Sequence, residues 1–141
     1  KDSKEVREKT VIEKVEPEVR RADLSDKDVD ALFLRRIAAG ARWLVGGGSG
    51  KYTIQLMVLT SDQAEESLKK MLRTADYQSI ANQLYVLRRT GPDPTVMAFY
   101  GEYPSLAAAR SGRNNLPVFL RKHNPYAISV FGAVEKATAP Q

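Results

Sequence analysis

The sequence has no cysteine, one histidine and one tryptophan in 141 residues. Without cysteine there are no disulfides, no thiolate nucleophile and no cysteine-bound zinc. That absence fits an envelope location. The single histidine, His123, lies in the loop Arg121-Lys122-His123-Asn124-Pro125 and reads as a solvated residue rather than a general base. No apolar run approaches the roughly 18 residues of a membrane span, and no signal peptide is present. The chain does not begin with Met, which predicts a mature product or an excised piece with any targeting or anchoring segment upstream. No nucleophile elbow, phosphate loop or dinucleotide fingerprint occurs. Gly46 to Gly50 lacks the Lys-Ser/Thr ending of a phosphate loop and follows no strand. Glu65-Glu66 falls on the polar side of a helical pattern and reads as solvating. The expectation is a binding protein with no catalytic residues, no cofactor and no metal.

What is present is charge of both signs. The formal net charge is +5, from 22 Lys/Arg and 17 Asp/Glu. Residues 1–36 hold ten of each sign and are neutral, whereas residues 51–141 hold eleven basic and seven acidic residues. A mild basic excess in the folded part favours polyanions without choosing one.

Residues 1–24 are charged, with Pro17 in the middle, and read as a solvated linker. Residues 25–45 read as an amphipathic helix. Ser25 is a good N-cap, Asp28 completes a capping-box-like pair, and Val29, Leu32, Phe33, Ile37, Ala41, Leu44 and Val45 recur at helical spacing. Residues 46–50 read as a Gly-rich hinge. From Lys51 the pattern is a strand to Leu59, a helix from Asp62 to Ala75, a strand from Leu84 to Arg89 and a turn at Gly91-Pro92-Asp93-Pro94. A third strand runs from Thr95 to Tyr103, a second helix starts at Ser105 and is interrupted near Pro117, and a last strand spans Ala127 to Val134. The order β-α-β-β-α-β over residues 51–136 predicts an α+β fold. It has a four-stranded antiparallel sheet with two helices on one face, preceded by the N-terminal helix and linker. Residues 137–141 read as a tail.

Gln55 stands inside the apolar run Tyr52-Thr53-Ile54-Gln55-Leu56-Met57-Val58-Leu59. A buried amide needs a partner. Side chains alternate across a strand, so if Ile54, Leu56 and Val58 face the helices, Thr53, Gln55 and Met57 face the other side. Alternation adds Tyr85, Leu87 and Arg89 from the second strand and Thr95, Met97 and Phe99 from the third. An amide, aromatic rings and a guanidinium on one face suit recognition of a polymer. The same residues also suit burial under the helix of residues 25–45. RNA-recognition motifs share this topology, but Val96-Met97-Ala98-Phe99-Tyr100-Gly101-Glu102-Tyr103 does not match their strand signature, and nucleic acid is not the expected partner.

The segment Gly101-x-Tyr103-x-Ser105, Ala109, Leu116-Pro117 and Asn124-Pro125-Tyr126-Ala127 resembles the SPOR (sporulation-related repeat) domain. Tyr52-Thr53-Ile54-Gln55-Leu56 looks like the first strand of that family, with its signature Gln. The likeness covers residues 51–136, and the spacing of the Leu-Pro and Asn-Pro-aromatic elements is similar to DamX-type members, bitopic inner-membrane proteins of Gram-negative division sites. The resemblance implies a periplasmic domain, anchored through a membrane segment outside this chain, that binds peptidoglycan glycan strands stripped of stem peptides. The glycan would lie across the sheet face, on Gln55, Thr53, Met57, Tyr85, Arg89, Thr95, Met97 and Phe99.

Three positions depart from the family pattern. Val58 stands where members often carry Ser, and Thr95 and Met97 stand where an aromatic and sometimes Arg occur. The loss of these polar and aromatic residues, with the apolar Met57, Met97 and Leu87 in the face, supports a second reading, in which the same face serves a protein–protein contact with envelope or division proteins.

Overall fold

In a computed structural model, residues 24–139 of the chain are described. The expected linker of residues 1–24 therefore lies outside them except for its last residue. Helix α1 runs Asp26–Leu44, and Ser25 Oγ accepts from the Asp28 N–H at 3.1 Å, as the capping pattern predicts. Strand β1 is Tyr52–Thr60, and α2 is Ala64–Leu72. A separate helix α3 follows at Ala75–Ile80, where one helix through Ala75 was expected. The Thr74 hydroxyl accepts from the Tyr77 N–H and starts this new helix. Strands β2 (Leu84–Arg89) and β3 (Thr95–Tyr103) fall where the sequence puts them. Helix α4 is Leu106–Asn114, and Pro117 caps the short helix α5, Val118–Arg121.

The last expected strand is the main departure. Strand β4 covers only Tyr126–Ser129, and Val130–Thr138 forms a helix, α6. The Ser129 side chain accepts from the Gly132 N–H at 2.9 Å and so switches the chain from strand to helix. Ala137 and Thr138, expected in a tail, belong to this helix.

The fold is α+β, with one antiparallel four-stranded sheet in the order β2-β3-β1-β4. Helix α2 packs on the first face through Leu68 and Leu72, and α5 adds Leu120. Helix α4 sits on the same side, where Gly112 lies against the Tyr103 ring.

Two irregularities decide which side chain faces where. The pairing of Gln55 with Phe99 and of Met57 with Ala98 leaves Leu56 as an extra residue in β1. Such a bulge reverses the alternation beyond it. Met57 therefore joins the helix-side core, and Val58 takes its place opposite Met97 on the second face. A further shift in β3 contains Gly101, whose φ of 73° favours glycine. It turns Glu102 onto the second face while Tyr100 and Tyr103 both pack on the first core.

Helix α1 runs beside the exposed edge of β2. Arg36 Nη1 donates to the Leu84 carbonyl at 3.1 Å, and a Cβ on Gly40 would sit 2.1 Å from the Val86 carbonyl oxygen. Glycine there lets the helix lie directly on the strand backbone and cover a pairing edge. The first half of α1 gives Val29, Leu32 and Phe33 to the helix-side core, and its end gives Trp43 to a second core on the opposite face. The inward stripe is thus Gly40 and Trp43 rather than the expected Ala41, Leu44 and Val45, the last two of which are exposed. The expected hinge, residues 46–50, forms hydrogen-bonded turns, with Gly47 N–H to Arg42 O at 2.8 Å and Lys51 N–H to Gly48 O at 2.9 Å.

Candidate binding surface

The second sheet face is built in rows. One row reads Tyr85, Phe99, Gln55 and Tyr126 across the four strands, and the next reads Leu87, Met97 and Val58. The third reads Arg89, Thr95 and Thr60. The structure brings together seven of the eight expected site residues, and Met57 alone is turned away by the bulge at Leu56.

Most of this face is covered. Val130, Ala133 and Ala137 of α6 pack with Leu87, Met97 and Phe99, and the latter two strand residues are no more than 2% exposed. Trp43 stacks on Tyr85 with ring centres 4.5 Å apart and meets Phe99 edge-on at 5.6 Å. Its indole N–H donates to Glu102 Oε2 at 2.7 Å, so the residue turned over by Gly101 anchors the end of α1. Burial pushes the Tyr85 phenol above its ordinary pKa, and the Glu102 carboxylate adds to the shift. The bare platform expected for a glycan is therefore a hydrophobic core. Val130, Ala133 and Ala137, at helical spacing on α6, satisfy it at the cost of access.

The polar members of the face have partners inside the protein. Thr53 Oγ1 donates to the carbonyls of Gly101 at 2.7 Å and Tyr100 at 3.1 Å. Thr95 Oγ1 donates to Asp93 O at 3.0 Å and lies 3.3 Å from Thr60 Oγ1. Arg89 Nη1 donates to Lys136 O at 2.9 Å, near the C-terminal end of α6, where a cation is favoured. Gln55, 8% exposed, accepts from Lys136 Nζ at 2.8 Å.

One strip stays open, where β4 and the far side of α6 meet. Lys136 Nζ also donates to the Tyr126 hydroxyl at 2.7 Å and sits 5.4 Å from the centre of that ring. Tyr126 and Val58 are each more than two-fifths exposed. An aromatic ring, an ammonium group and a buried amide thus occupy one rim, where an aromatic face and a cation are available together. Beyond α6, Leu44, Gly48, Phe131 and Val134 line an apolar cleft of about 260 Å³.

Lys136, Trp43 and Glu102 were absent from the sequence-based site. Tyr126 was present only as part of the Asn-Pro-aromatic motif. The one available signal was the single tryptophan, three residues after a glycine on a helical pattern. Among the described residues, no cluster of three or more His, Cys, Asp or Glu is placed to hold a metal, and no helix is long and apolar enough to cross a membrane.

The class these features define is an α+β domain whose four-stranded antiparallel sheet carries helices on both faces. No family model, curated protein or solved structure matches the chain. The SPOR likeness therefore stands on the motif residues alone.

Proposed function

We propose that this chain is a non-catalytic binding module of the SPOR type that recognises denuded peptidoglycan glycan strands in the periplasm. The observation that supports this reading is the open rim of Tyr126, Lys136 and Gln55. The Tyr126 ring offers a flat apolar surface to the C–H side of a sugar. Lys136 offers a charged donor to a carboxylate, the group left on each lactyl ether when a stem peptide is removed. Contact is limited to this rim, because α6 and Trp43 occupy the rest of the sheet face.

The test is co-sedimentation with purified sacculi, with and without amidase treatment. Enrichment on treated wall is expected, and Tyr126→Ala should weaken it about three- to tenfold, the worth of one aromatic contact. Equal pelleting with both kinds of wall, or none, overturns the reading.

A second reading is a protein–protein module of an envelope assembly. It is favoured by Leu44, Val45 and Phe131, respectively 49%, 86% and 70% exposed beside the apolar cleft. Under that reading Phe131→Ser abolishes partner capture from an envelope extract and leaves sacculus binding unchanged. Capture that survives the substitution removes it.

A further inference from the structure

Residues 103–134 contain four cations, Arg110, Arg113, Arg121 and Lys122, and no Asp or Glu. Folding gathers these cations at one tip. Arg110 and Arg113 lie one turn apart on α4, and Arg121 and Lys122 close α5. Arg113 and Arg121, with Asn114, Asn124 and Pro125, line a cleft of about 400 Å³.

The cations are not neutralised by their surroundings. Ion pairs among the described residues use Lys69, Arg73 and Arg88 and none of these four. Arg121 Nε is held by the Leu116 carbonyl at 2.8 Å, and its two terminal nitrogens have no partner among the described residues. Arg113 meets only the Asn114 side-chain oxygen, at 3.3 Å. Two guanidinium forks on one cleft match the oxygens of a phosphate group.

The same tip carries an exposed aliphatic residue. Val118 is 76% exposed on α5, three and four residues before Arg121 and Lys122, and so shares their side of the helix. An apolar side chain set among unpaired cations matches the boundary layer of a bilayer, where acyl chains lie beneath phosphates. No aromatic ring lines the cleft, so stacking on nucleobases has no platform there.

We propose that the α4–α5 tip docks on an anionic phospholipid surface, with one headgroup phosphate seated between Arg113 and Arg121 and Val118 entering the interface. This goes beyond the glycan reading and uses the helix side of the sheet, opposite the Tyr126 rim.

The full chain is sedimented with vesicles of phosphatidylcholine alone or with roughly one third phosphatidylglycerol. Binding is expected only to the anionic vesicles, and it weakens as salt is raised. Each cation near the surface accounts for about a fivefold change in binding, so Arg110→Gln with Arg113→Gln should weaken it roughly 25-fold. Thermal melts of this double variant check that folding is retained, and Val118→Ser provides a variant that keeps every charge and should still weaken binding. Failure to bind anionic vesicles at low salt, equal binding to neutral vesicles, or indifference to the double substitution overturns the proposal. Shifts of the Arg113 and Arg121 resonances with inorganic phosphate, without vesicle binding, would assign the cleft to a free anion and also overturn it. No sugar polymer is present, so none of these outcomes bears on the glycan reading.

Discussion

Lys136 Nζ donates to Gln55 Oε1 at 2.8 Å, joining residues 81 positions apart in the chain. The amide that looks out of place in the apolar run of β1 is satisfied inside the fold. The same ammonium holds the Tyr126 hydroxyl, so one lysine on α6 pins both β1 and β4.

Replacing that lysine tests the bond. Lys136→Met keeps the aliphatic stem and removes the donor, leaving a nearly buried amide without its partner. A loss of about 1–2 kcal/mol is expected, read as a lower urea midpoint at unchanged slope. Adding Gln55→Leu should recover much of the loss, because both polar ends are then gone. Strictly additive losses in the double variant would show that the two side chains are not coupled.

Trp43 reports the docking of α1. It is the only tryptophan and is 3% exposed, so its emission follows this contact alone. Trp43→Ala removes the stack on Tyr85 and the edge contact with Phe99 and should cost about 3–5 kcal/mol. Glu102→Ala should cost about 1–2 kcal/mol and move the emission to the red, whereas Glu102→Gln retains an acceptor and stays close to wild type. A red-shifted emission in the wild-type protein would mean that α1 is not seated on the second core.

Gly40→Ala probes the other end of that contact. The added Cβ would meet backbone atoms of Val86, which cannot rotate away. Overpacking of this kind costs about 1–3 kcal/mol. Amide exchange along β2 should rise more than exchange along β1, since only the β2 edge loses its cover. Unchanged exchange in β2 would refute the direct seating of α1 on that strand.

His123 gives the fold an acid-sensitive joint. Its Nε2 lies 3.0 Å from the Tyr77 hydroxyl, and burial, with Lys122 adding, holds its pKa below the ordinary value. As pH falls, the unfolded chain takes up the proton first. The stability contribution is therefore complete above about pH 6.5 and is lost as pH falls through the folded value. Urea midpoints at about pH 7.5 and about pH 5.5 should differ more for wild type than for His123→Gln. Parallel pH dependence in the two proteins would place the sensitivity elsewhere.

Local signals in the chain were strong where they were short in range. The Ser25 cap, β2, β3 and the break at Pro117 all fall where residue type and periodicity put them. Val130 to Val134 reads as strand because Ile128-Ser129-Val130-Phe131 continues a β-like apolar run. The Ser129 hydroxyl capping the Gly132 N–H ends the strand, and a hydroxyl is also compatible with a strand. The site was half legible. Gln55, Thr53, Tyr85, Leu87, Arg89, Thr95, Met97 and Phe99 do share a face, but Met57 does not, because an extra residue in β1 has no mark in a run that is apolar on both sides.

By itself the sequence determined an α+β chain with a four-stranded antiparallel sheet, a capped helix before it and an amide that needed a partner. These follow from periodicity, capping and turn chemistry, which act over a few residues. Only the tertiary structure decided what covers the second face. Trp43 and Lys136 reach it from opposite ends of the described chain, and the bulges at Leu56 and Gly101 set which neighbours they meet. Contacts between distant segments depend on register and on the space left by packing, and neither quantity is written in a local pattern.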